Sequence, residues 1–128
     1  MIRILVIDDD RHMRNACSRV LARSGWEVIC AETGEEGFRF IKDSEQQFDV
    51  ILIDWLMPGG MSGMEFLART RALVPDLPVI LMTGSATSES VAQARKSGAF
   101  DCLAKPFIPD QLREIIKNAV KNSSQPAE

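Results

Sequence analysis

Four apolar runs in this chain end in residues that can do chemistry. Ile4-Leu5-Val6-Ile7 leads into Asp8-Asp9, Val50-Ile51-Leu52-Ile53 into Asp54, and Val79-Ile80-Leu81-Met82 into Thr83, while Phe100-Asp101-Cys102-Leu103 is soon followed by Lys105. Singly, each has an ordinary explanation. Asp10, before a helix, reads as its N-cap, Asp54 as a turn residue, Thr83 as a strand end and Lys105 as a solvated charge before Pro106. Brought together they mean more. Three crowded carboxylates repel one another, loss of water raises their pKa values, and a cation relieves both. Hard oxygen ligands suit Mg²⁺, which keeps several waters and takes one or two carboxylates plus a phosphate. A lysine charge and a threonine hydroxyl beside them would hold a phosphoryl group, with a carboxylate as nucleophile.

Such convergence needs particular elements. The β-branched runs, together with Trp26-Glu27-Val28-Ile29-Cys30, alternate with helically spaced stretches. Met13, Ala16, Cys17, Val20 and Leu21 form one buried stripe, and Leu112, Ile115, Ile116, Ala119 and Val120 another. Phe38 with Ile41, and Met64 with Leu67 and Ala68, give shorter stripes; Val91 with Ala94 gives the weakest. Gly25 and Gly98 stand where helices stop, Pro75 and Pro78 break the chain before the fourth strand, and Pro109 can open the last helix. The order is βα repeated five times. Three central runs are apolar without alternation, as in parallel strands covered on both faces. The prediction is an open, doubly wound α/β fold whose strand ends share one edge, where ligands bind.

Composition narrows the function classes. The 128 residues are 45% hydrophobic and 26% charged, enough for one folded domain. A net charge of −3 argues against direct nucleic-acid binding. No apolar run approaches a membrane span, and Met1-Ile2-Arg3-Ile4 enters the first strand without a signal-peptide core. Cys17, Cys30 and Cys102 are far apart and read as small core residues of a reducing compartment, so the expected location is cytoplasmic. The domain is expected over residues 2–121, with 122–128 a polar tail or linker.

Val6-Ile7-Asp8-Asp9-Asp10, Ile53-Asp54-Trp55-Leu56-Met57-Pro58, Leu81-Met82-Thr83-Gly84 and Lys105-Pro106-Phe107 together resemble a response-regulator receiver domain of two-component signalling. That resemblance implies a flavodoxin-like five-stranded parallel sheet of order 2-1-3-4-5 with five helices, and a cis Lys105–Pro106 peptide. It implies that Asp54 is the phosphoacceptor and that Asp9 and Asp54 bind Mg²⁺ through carboxylates, Leu56 through its carbonyl and Asp8 mainly through a metal-bound water. Lys105 would pair with the phosphoryl oxygens and Thr83 would hydrogen-bond to one. The implied donor is a histidine kinase or histidine phosphotransfer protein. The output would be a downstream effector, biased through the fourth helix, fifth strand and fifth helix, a face that also allows a dimer. The protein would be no enzyme beyond Mg²⁺-dependent self-phosphorylation from a phosphodonor.

Several positions depart from the pattern. The Met57-Pro58-Gly59-Gly60-Met61-Ser62-Gly63 loop is one residue longer than the commonest form, with Ser62 where aspartate is usual. Leu56 replaces a frequent polar residue, and Cys102 stands where an aromatic usually couples to the threonine. Phe100 is expected on the face of Cys102 by strand periodicity and reads as core. His12, the only histidine, reads as a solvated helix residue. Two other functions fit parts of this pattern. A phosphatase of haloacid-dehalogenase type shares Asp8-x-Asp10, but His12 sits where threonine or valine is expected and no late acidic pair follows Lys105. A binding-only pseudo-receiver would normally lack one of the acidic residues that are present here.

Overall fold

The computed structural model describes residues 1–43 and 47–124. Ten elements alternate: β1 (Arg3–Ile7), α1 (Arg11–Arg23), β2 (Glu27–Ala31), α2 (Gly34–Lys42), β3 (Val50–Asp54), α3 (Gly63–Leu73), β4 (Val79–Thr83), α4 (Ser88–Lys96), β5 (Asp101–Ala104) and α5 (Pro109–Ser124). The strands form one parallel sheet in the order β2-β1-β3-β4-β5. This is the order implied by the resemblance, and the Lys105–Pro106 peptide is cis.

Side-chain alternation divides the core into two layers. Ile4, Val6, Val50, Leu52, Ile80 and Met82 pack beneath α1 and α5, against Cys17, Leu21, Leu112, Ile116 and Ala119. Leu5, Ile7, Ile51, Ile53, Val79 and Leu81 pack on the opposite side against Phe66 and Leu67 of α3, Ala94 of α4 and the partly buried Phe38 and Ile41 of α2. Apolar residues on both faces explain the unbroken runs in the central strands. The helix starts carry their own caps: Asp10 accepts from the His12 N–H at 2.9 Å, Ser62 from Glu65 at 3.1 Å, and Thr87 shares a capping box with Ser90. Gly98 ends the turn after α4 at φ +108°, a conformation that favours glycine.

Three expectations change. Phe100 does not share the face of Cys102. Phe100 packs in the α1–α5 layer, Cys102 in the opposite one, because β5 begins at Asp101 and strand alternation does not reach back to Phe100. Cys17 is buried, with its thiol pushed up to about 12 by burial, but Cys30 and Cys102 are only half-buried. Helix α5 continues through Ser124, so residues 122–124 are helical; 125–128 of the expected tail lie outside the described residues. Among the described residues no helix is long and apolar enough to cross a membrane.

The start of α3 touches the end of β3. A Cβ on Gly63 would lie 2.7 Å from the Asp54 carbonyl oxygen and 2.9 Å from Trp55 Cα, and the Gly63 N–H donates to the Trp55 carbonyl at 3.0 Å. Backbone cannot yield as a flexible side chain does, so Gly63→Ala is expected to cost about 1–3 kcal/mol, the usual penalty of overpacking. A lowered urea midpoint at unchanged slope would register it; an unchanged midpoint would contradict this packing.

Candidate functional site

All five strands run the same way, so β1, β3 and β4 deliver Asp8, Asp54 and Thr83 to one edge, and the turn after β5 brings Lys105 there. Carboxylate oxygens of Asp8, Asp9 and Asp54 lie within 4.8 Å of one another, and the three residues could hold a metal ion. Asp8 is fully buried, Asp54 partly buried and Asp9 exposed. The acids thus grade from the protein interior to solvent.

Lys105 spans the cluster. Its ammonium lies 3.1 Å from Asp8 Oδ2 and 3.2 Å from Asp54 Oδ1. Burial lowers the lysine pKa, but the two carboxylates beside it outweigh that and hold it above its ordinary value. At Asp8 burial prevails instead. Burial raises its pKa despite the Asp10 N–H, which donates to Oδ1 at 2.9 Å, and despite Lys105. Proton affinity is high in a carboxylate that lacks enough positive charge. A donor set of hard oxygens with surplus negative charge fits Mg²⁺, and not a soft thiophilic metal.

Thr83 is buried and accepts a hydrogen bond from the Ser85 N–H at 3.1 Å. That bond uses a lone pair of Oγ1 and leaves the hydroxyl hydrogen to donate elsewhere. Backbone pairing continues into the turn, where the Lys105 N–H donates to the Thr83 carbonyl at 2.8 Å, tying the threonine and the lysine together. The Leu56 side chain is 72% exposed at the rim, after Asp54 and Trp55.

Asp8, Asp9, Asp54 and Lys105 are therefore brought together, with Thr83 at the end of the adjoining strand. Asp10 caps α1 as expected, and His12 is exposed on that helix. Two contributors escaped the sequence reading. Arg14 donates to the Asp8 carbonyl at 2.7 Å, fixing the backbone between β1 and α1. Glu35, in the first turn of α2, accepts from the Met61 N–H at 3.4 Å and borders the loop after β3. Arg14 sits on the inward side of α1, four residues after Asp10, which could have signalled its role; no spacing points to Glu35.

Comparison with known proteins agrees with this geometry. A family model described as the response regulator receiver domain matches residues 4–117. The chain is 36% identical to the regulatory protein AtoC of Escherichia coli (strain K12), covering 98% of this chain and 27% of that protein. It is 34% identical to the DNA-binding transcriptional regulator NtrC of Azospirillum brasilense, covering 97% of this chain and 25% of that one. The chain thus spans about a quarter of the length of these two relatives. A response regulator receiver domain protein from Clostridium thermocellum superposes with a TM-score of 0.88 at 33% identity, over 95% of this chain and 96% of that one. The beryllofluoride-activated NtrC4 receiver domain dimer superposes at 0.86 and 33%, over 97% and 100%.

Proposed function

Because this chain belongs to the response regulator receiver domain family, we propose that it takes a phosphoryl group onto Asp54 and passes the change to a partner-binding face. One observation carries the assignment to these residues: a lysine ammonium bridges Asp8 and Asp54 beside a third carboxylate at the edge of a parallel sheet. Mg²⁺, held by the Asp9 and Asp54 carboxylates and the Leu56 carbonyl with Asp8 acting through a bound water, would neutralise charge on the transferring group. The donor is a phosphohistidine of a kinase or phosphotransfer protein. An Asp54 oxygen attacks phosphorus in line, the donor N–P bond breaks, and the imidazole keeps the electron pair. Lys105, already at Asp54, follows the charge onto the phosphoryl oxygens, and the Thr83 hydroxyl hydrogen donates to one of them. The added negative charge and acceptor oxygens draw Thr83 and its turn toward Asp54. Thr83 leads into α4, and its carbonyl holds Lys105 after β5, so the signal leaves through α4, β5 and α5. That face would engage an effector or a second copy. Location in the cytoplasm and a single domain that reaches the end of α5 complete the reading.

The test is incubation with a small acyl phosphate, with and without Mg²⁺. The expected result is one phosphoryl group per chain, lost when the metal is chelated. Continuous turnover of a general phosphate ester would point instead to a phosphatase, and no labelling at all to a binding-only domain.

Leu56 bears on how long the label persists. An apolar side chain at the rim neither orients nor admits an in-line water well, so self-dephosphorylation is expected to be slow. Leu56→Asn, by offering a hydrogen-bonding group to that water, should shorten the phosphorylated lifetime severalfold. An equal or longer lifetime by quenched time course would place the control of water elsewhere.

A further inference from the structure

We propose that Glu35 is a positioning residue that latches the loop between β3 and α3 over the acidic cluster, and so sets affinity for the divalent cation; this rests on the magnesium reading above. The loop Met57–Gly63 contains two adjacent glycines, one of them, Gly59, at φ +85°. Such a segment has many alternative conformations, and holding one of them costs entropy. Its two ends are fastened. Met57 and Met61 are buried in the core, and Gly63 is pressed against the end of β3. The glycines between them are exposed, and here α2 supplies the hold. Glu35 Oε1 accepts from the Met61 N–H at 3.4 Å and lies 3.3 Å from where a Cβ on Gly60 would stand. Beneath, a Cβ on Gly34 would meet the Met61 Cβ at 3.1 Å, a tight approach that shows how closely the loop settles on α2.

The neighbouring acids are engaged differently. Glu32 pairs with Arg14 at 3.5 Å, and Glu36 accepts from the Glu32 N–H at 2.8 Å. Glu35 is left to the loop. Together Glu32 to Glu35 and Met57 to Met61 line a half-open cavity of about 220 Å³ that Asp9 also lines. The loop therefore leaves β3 with Leu56, passes over the outermost acid of the cluster and is tied down on α2. Releasing the tie would let the glycine segment that roofs this cavity beside Asp9 wander.

The experiment compares wild type, Glu35→Ala and Glu35→Gln, titrated with Mg²⁺ alone and followed by tryptophan fluorescence, in which Trp55 neighbours Asp54 and Trp26, before β2 at the opposite edge of the sheet, is the constant background. Amide hydrogen exchange at Gly60 and Met61 in metal-free protein is the second readout. Glutamine keeps a side-chain oxygen that can accept the Met61 N–H, whereas alanine does not. The expected result is that Glu35→Ala weakens Mg²⁺ binding by about three- to tenfold, the effect of one net hydrogen bond, and speeds exchange at Met61, while Glu35→Gln stays close to wild type in both. Weakening by Glu35→Gln equal to that by Glu35→Ala would overturn the latch in favour of simple charge attraction. A Glu35→Ala protein indistinguishable from a wild type that does respond to Mg²⁺ would overturn the latch alone. A wild type with no Mg²⁺ response would overturn the magnesium reading and the latch with it.

Discussion

Asp54→Asn is expected to reduce stoichiometric phosphorylation by acyl phosphate to background while leaving the fold as stable as wild type. The amide is nearly isosteric with the carboxylate but has no charged oxygen to attack phosphorus. No compensating nucleophile stands ready. Asp8 is fully buried and tied to the Asp10 N–H and Lys105, and Asp9 is the outermost acid of the cluster. Stability should not fall, because the substitution removes one of three mutually repelling carboxylates and Lys105 retains Asp8 as partner. Labelling at wild-type yield would exclude Asp54 as acceptor. A large drop in the urea midpoint would show that Asp54 holds the fold together instead of serving chemistry.

Lys105→Ala is expected to act on both function and stability. Phosphotransfer should slow by at least about 100-fold, the scale seen when one preorganised electrostatic donor is removed from a reacting oxygen. Stability near neutral pH should fall by roughly 1–3 kcal/mol, because a buried acceptor loses its charged partner. The pH dependence identifies the cause. Asp8 has a raised pKa in the folded state, and removing Lys105 raises it further. Between its ordinary value of 3.8 and that raised value, the folded chain binds more protons than the unfolded one. The variant therefore loses stability as pH rises through this window, and its deficit should close in acid, where Asp8 is neutral. In wild type the lysine has the opposite edge. Its folded pKa lies above the ordinary 10.5, so its contribution is complete below 10.5 and is lost as pH climbs through the raised value. Urea midpoints measured from acid to alkaline pH would reveal both edges. A deficit independent of pH would assign the loss to packing of the lysine stem and not to its charge.

Much of this site was legible because it depends on strand ends. Once the runs at Ile4, Val50 and Val79 are read as parallel strands, Asp8, Asp54 and Thr83 must share an edge, whatever the helices do. Side-chain partners were less visible. The bridge that Lys105 makes between Asp8 and Asp54 is one of them. That follows from the depth of Asp8, which no spacing encodes. Phe100 was placed on the wrong face because alternation was extended one residue beyond a four-residue strand. Asn122-Ser123-Ser124 read as the start of a polar tail, but polarity does not stop a helix whose apolar stripe is already packed, and α5 continues through them. Glu35 was missed for a more general reason. Its partner is a backbone N–H twenty-six positions away, in a loop whose path depends on two buried methionines.

The most direct test of the central claim is the position of the phosphoryl group itself. Wild-type protein would be phosphorylated by a small acyl phosphate in the presence of Mg²⁺, trapped by reduction of the acyl phosphate, and digested for peptide mass spectrometry. The account predicts a single modified residue, Asp54, in the peptide that follows β3. A reduced residue at Asp8 or Asp9, with Asp54 intact, would contradict it.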